Sequence, residues 1–147
     1  MTSPFNALKT AVIEATKADP TISAICGARV YEEVPRDARG DASDAQAPFV
    51  YLDHFVWRDI EAGCGPLYAV TLRLNAVATE FGRKQSRDLA EAIAVAFNRK
   101  TLQLAGGHAM TIFKAVAGGD VPAVSTVKEC FVELRTELAD ANGYPLP

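Results

Sequence analysis

The chain has 147 residues, 15 Lys and Arg against 18 Asp and Glu, and a formal charge of -3, with 49% hydrophobic and 22% charged residues. That bounds it to one globular domain with a full core. The cations lie singly or in pairs (Arg36, Arg39, Arg83 with Lys84, Arg99 with Lys100), so no basic stripe tracks a nucleic-acid backbone, and no run of about 18 apolar residues spans a membrane.

Cys26, Cys64 and Cys130 are far apart, with no CxxC and no His at metal spacing, which fits inert thiols in a reducing compartment. The N-terminus lacks a basic flank leading into an uninterrupted apolar core, so synthesis and folding in the cytoplasm are expected.

Ser3 before Pro4 starts a helix: a Ser side chain caps free N–H groups, and Pro loses nothing at the first position. Phe5, Leu8, Val12 and Ala15 follow at helical spacing until Asp19 and Pro20 stop the run. One further turn fits between Pro20 and Gly27.

From residue 29 the period changes to two. Residues 29–34 read as a strand, then a long polar run, residues 36–47, then FVYLDHFVWRD as a second strand. Strict alternation puts Val50, Leu52, His54 and Val56 on one face, and Phe49, Tyr51, Asp53, Phe55, Trp57 and Asp59 on the other. LYAVTLRLNAVAT is a third strand with its even positions apolar, joined to the second by a turn at residues 63–66.

Leu89, Ala92, Ile93, Ala96 and Phe97 then mark an amphipathic helix across the sheet. TLQL and MTIFKAV read as a short and a longer strand, and residues 126–138 as the last, with Cys130, Val132 and Leu134 inward. Residues 139–147 read as a loose tail. The expected fold is α+β, in the order α-β-β-β-α-β-β-β: a mainly antiparallel sheet with two helices packed on one face, in one domain over residues 1–147.

No catalytic pattern emerges. His54 reads as a packed histidine on an apolar strand face and His108 as an exposed turn residue. GGHAM and AGGDVP lack the strand-to-helix context of a phosphate loop, and no Ser or Cys lies in a nucleophile elbow. Arg39-Gly40-Asp41 matches an adhesion tripeptide, but the chain has none of the signal or disulfide features of an extracellular ligand. The informative feature is aromatic: Phe49, Tyr51, Phe55 and Trp57 share one strand face under strict alternation, and that face needs a cover, either the polar loop packed on curled strands or a subunit interface.

Taken in order, LKTAVIEATKADPTISAICGARVYEEVP, APFVYLDHFVWRD, VTLRLNAVATEFGRKQSRDLAEAIAVAFN and TLQLAGG resemble the tail terminator, or tail completion, proteins of long non-contractile-tailed phages and gene transfer agents. The GxRVYxxVP stretch at Gly27 to Pro35, Pro48, and Gly82 with the RxLAxAIxxAF helix at Arg87 to Phe97 carry the resemblance.

It implies a structural virion protein made in the bacterial cytoplasm. Six copies would form a ring that caps the head-proximal end of the tail tube, ends its polymerisation and joins the tail to the head connector. The implied partners are further copies of the chain, the tube protein, a connector or stopper protein and the tape-measure protein. DNA passes through the lumen unread, with no membrane, metal, cofactor or catalytic residue.

Residues 36–47 depart from the family pattern by expansion. Candidate interface residues are therefore Phe49, Tyr51, Phe55 and Trp57 from the strand, and Arg36, Arg39, Asp41 and Asp44 from the loop. Two other readings are a head-completion or stopper protein of the neck and a small ligand-binding α+β domain, the latter requiring a pocket around His54 or His108.

Overall fold

The computed structural model describes residues 3–36, 38–40, 47–60, 66–79, 83–122 and 128–141. Helix α1 (Pro4–Ala18) begins as its sequence dictates: the Ser3 side chain accepts from the Asn6 N–H, and Pro4 fills the first turn. Leu8 and Val12 are fully buried. Asp19 serves two helices: its N–H donates to the Ala15 carbonyl, and its carboxylate accepts from the Thr21 and Ile22 N–H groups at 3.0 Å, capping α2 (Pro20–Cys26). Gly27 ends α2 at φ 63°, a backbone that favours Gly.

Two strands follow, β1 (Val30–Tyr31) and β2 (Phe49–Asp59), paired in parallel through Val30↔Val50 and Tyr31↔Tyr51. β2 turns back into β3 (Leu67–Ala78), with the Ile60 N–H closing onto the Leu67 carbonyl at 2.8 Å. Helix α3 (Lys84–Phe97) then crosses the sheet. β4 (Ala109–Met110), β5 (Lys114–Val121) and β6 (Lys128–Ala139) complete it. The order is β1-β2-β3-β6-β4, with β5 also on β6; all pairings except β1 with β2 are antiparallel. β3 and β6 pair without interruption from Leu67↔Ala139 to Ala78↔Lys128.

The core lies between one sheet face and the helices. Even-numbered residues of β3 (Val70, Leu72, Leu74, Ala76) and of β6 (Cys130, Val132, Leu134) meet Leu8, Val12, Ile22, Leu89, Ile93 and Phe97. Phe97 also stands edge-on to the fully buried Phe113, centroids 5.6 Å apart.

The α+β class and the mainly antiparallel sheet hold, with α2 as a third helix. Several local expectations are corrected. The first strand spans only Val30–Tyr31 rather than residues 29–34. TLQL is not a strand, because the side of β6 it would need is taken by Ala109–Met110 and Lys114–Val121; Leu102 and Leu104 instead pack on the core from an extended segment. MTIFKAV is broken at residues 111–113, where the Phe113 N–H donates to the Lys100 carbonyl and its own carbonyl accepts from the Arg99 N–H. Residues 61–65, which hold most of the expected hairpin turn, and residues 142–147 of the tail lie outside the described residues.

The largest correction concerns β2. Leu52 pairs with Leu74 and the next paired residue, His54, with Arg73, so Asp53 has no partner in the ladder. One extra residue reverses which face every later side chain takes. Phe55 and Trp57 therefore stand opposite Leu72 and Val70 on the helix side, while His54 and Val56 join Phe49 and Tyr51 on the outer side. The four aromatics do not share a face.

Candidate assembly surface

The outer sheet face is built in rows across β2, β3, β6 and β5: Phe49, Val77, Glu129, Val121; Tyr51, Asn75, Phe131, Gly119; His54, Arg73, Glu133, Ala117; and Val56, Thr71, Arg135, Lys114. Its upper half is closed. Phe49 is 1% exposed and Asn75 2%, and Phe49 lies between Tyr31 and Tyr51 with centroids 5.9 and 6.0 Å away.

Tyr51 donates its hydroxyl to Glu129 Oε2 at 3.1 Å, and Asn75 Nδ2 donates to the same oxygen at 2.6 Å. Burial first, then the Glu129 and Asp53 charges, holds the Tyr51 phenol well above its usual range. Arg73 lies 4.3 Å over the Phe131 ring and 3.5 Å from Glu133, which Arg135 also reaches. Among the described residues Arg73 Nε and Asn75 Oδ1 are buried without a hydrogen-bond partner.

Across the sheet edge the helix side is different. Phe5 of α1 stacks on Trp57 at 4.3 Å and meets Phe55 and Tyr68 edge-on, with the Lys9 ammonium 4.9 Å over the Phe55 ring. Trp57 nevertheless remains 51% exposed. The loop candidates stay on the surface: Arg36 donates to the Gly40 carbonyl at 2.8 Å, and Arg39 is exposed. Asp41 and Asp44 lie outside the described residues.

Both histidine expectations are corrected. His54 is exposed beside Arg73 because of the shift at Asp53. His108 is buried, with Nδ1 accepting from the Ala141 N–H at 2.8 Å and 3.4 Å from Asp140, so it pins the end of β6 rather than decorating a turn.

Sequence reasoning missed a cluster that ties α3 to β5. Arg87 grips Asp120 bidentately at 3.1 and 2.7 Å, and Arg83 donates to the Val121 and Glu129 carbonyls. Cys130 Sγ donates to Asp120 at 3.2 Å and lies 3.4 Å from Ser86 Oγ. The Arg87 guanidinium, with the Cys130 bond second, holds the Asp120 carboxyl far below its usual range, while burial raises both the Cys130 and Cys26 thiols. That direction favours the neutral thiol at both positions. No local motif announced the cluster, because its members are 33 or more residues apart in the pairs that matter most, Arg87 with Asp120 and Ser86 with Cys130.

Among the described residues no group of three His, Cys, Asp or Glu could hold a metal. What the surface does offer is apolar. Among the described residues, the large hydrophobic side chains left exposed besides Val95 on α3 are Val56 and Trp57 on β2, Ile112 before β5 and Val116 within it. Val56 and Trp57 come from one side of the sheet and Ile112 and Val116 from the other, and all four line one groove across it.

The family model described as tail completion protein gp17 matches residues 10–136. The chain belongs to this family. It is a structural protein of the virion tail. The fold agrees: a chain from the virion of a native gene transfer agent (GTA) particle superposes with a TM-score of 0.80 at 18% identity, covering 95% of this tail completion protein and 100% of that chain. No curated protein matches the sequence.

Proposed function

We propose that six copies of this tail completion protein close into a ring on the head-proximal end of the tail tube, stop its growth and present a docking surface to the head connector. The family match over residues 10–136 carries the reading. The surface supports it: the exposed Val56, Trp57, Ile112 and Val116 line one groove across the sheet, an apolar surface of the kind that receives a neighbouring protein. The protein acts by shape and contact rather than by bond-making, and the formal charge of -3 disfavours adhesion of DNA passing through the lumen.

The test is to add the purified protein to polymerising tail-tube protein from the same particle and count tube lengths in negative stain. Shortened tubes bearing a ring at one end are expected. Unchanged tubes with bare ends would contradict the reading and move the protein to the stopper position of the neck.

A further inference from the structure

The ring leaves open which surfaces of one copy meet which of the next. Beside β5, on the helix side of the sheet, a groove of about 550 Å³ runs between β5 and α3. Small apolar residues line part of it, Ala90 and Ala94 from α3, Ala115 and Gly118 from β5 and Val132 behind them, and the charged Arg87, Glu91 and Asp120 line another part. Gly118 cannot be enlarged freely, since a Cβ there would come within 3.1 Å of the Phe131 carbonyl oxygen. At the far edge of the same sheet lies the end of β2. β1 covers only Val50 and Tyr51, and Val56 to Asp59 are exposed. Trp57, stacked on Phe5, stands out from that edge on the helix side.

We infer that the Trp57 end of β2 in one copy seats in the α3–β5 groove of the next copy around the ring. This rests on the ring reading above. Four features select a second copy as the occupant. The exposed indole and the groove lie on the same side of the sheet but at opposite edges, so a head-to-tail repeat brings them together without a flip. β2 and β6 run the same way and β5 runs opposite, so β5 meets the neighbour's β2 antiparallel, the polarity in which two edges pair.

Asp59, two residues beyond Trp57 on the same face, then comes to the end of the groove where exposed Arg99 and Lys100 follow α3, an opposite-charge match. Finally, Trp is the residue most suited to such an anchor, because it buries a large rigid area at little entropic cost.

Disulfide trapping tests this in a Cys64→Ser background. Trp57→Cys is combined with Ala94→Cys in one chain, and separately Asp59→Cys with Lys100→Cys, which leaves the Phe5 stack untouched. Ring formation on tube ends is followed independently by negative stain.

Oxidation of either double variant is expected to give a ladder of covalent species up to the closed ring. The four single variants stay monomeric on denaturing gels, and mixing the two singles of a pair stops at dimers. A separate Ala94→Arg variant, folded by circular dichroism, is expected to lose ring formation because the groove is filled.

Rings that assemble with neither double variant cross-linking would overturn this contact while leaving the ring intact. So would Trp57→Cys or Asp59→Cys cross-linking by itself, which marks a two-fold contact. Absence of any ring, in wild type as in the variants, would overturn the ring reading and this contact with it.

Discussion

Asn75 is the residue on which the closed half of the outer face turns. It is 2% exposed, gives Nδ2 to Glu129 and Tyr51, and keeps Oδ1 without a partner among the described residues. A donor at this position neutralises part of the Glu129 charge, so a second carboxylate there would be opposed twice, by burial and by repulsion. Asn75→Asp is expected to cost about 3 kcal/mol in urea unfolding at neutral pH, because a charge is buried unpaired. Much of that loss should return in acid as one of the two carboxyls protonates. Asn75→Leu removes the donor without adding charge and should cost only about 1–2 kcal/mol. Equal losses for the two variants, with no recovery in acid, would sink this account of the network.

Asp120 makes a pH prediction. Its folded carboxyl titrates below the ordinary value of 3.8, chiefly because Arg87 binds the charged form. A group depressed in the folded state stabilises fully above its unfolded pKa and loses that contribution as pH falls through the folded one. The urea midpoint of wild type should therefore exceed that of Asp120→Asn at about pH 7, with the gap narrowing below about pH 4. A gap that stays constant down to about pH 2 would show that the Arg87 pair contributes nothing to stability.

At the scale of elements, β2 shows what the sequence could and could not convey. Both helices with clear apolar spacing, the β2–β3 hairpin and the inward set Cys130, Val132 and Leu134 were legible because each carries one period over several residues. The extra residue at Asp53 was not. FVYLDHFVWRD has large apolar groups on both parities, so a shift of one leaves a pattern that looks equally regular. TLQL failed for a related reason: alternation showed that Leu102 and Leu104 face the core, but whether a neighbouring strand is free to pair is a property of the whole sheet. For the candidate site, the sequence showed the density of aromatics on β2, while their division between two faces and the Arg87–Asp120 tie needed three dimensions.

The shift itself can be tested. Deleting Asp53 would restore strict alternation and turn Phe55 and Trp57 away from Phe5. Since Trp57 is the single Trp, its emission reports on that stack. The deletion should move the emission maximum to longer wavelength and lower Tm. Phe5→Ala should move it the same way at a smaller cost, about 1–2 kcal/mol, because only the ring and its aromatic contacts are lost. An unchanged emission in both variants would mean that Trp57 does not rest on α1 in solution.

For the whole molecule, a single sheet with helices packed on one side has two edges that differ in chemistry, and a closed head-to-tail assembly requires two such different surfaces. Of the polar segment at residues 36–47, the described Arg36 and Arg39 lie on the surface. We propose that it contacts a tail partner rather than supporting the fold. Shortening it is expected to leave the urea midpoint within about 0.5 kcal/mol of wild type while weakening attachment to tubes, read by co-sedimentation. A large loss of stability would assign the loop to the fold instead.

The most direct measurement of the central claim is averaged electron microscopy of tail tubes after incubation with the purified protein, classified by end. A single six-fold ring at one end of each tube, and none along the wall, is the predicted result. Subunits spread along the tube, or an end density without six-fold symmetry, would contradict it.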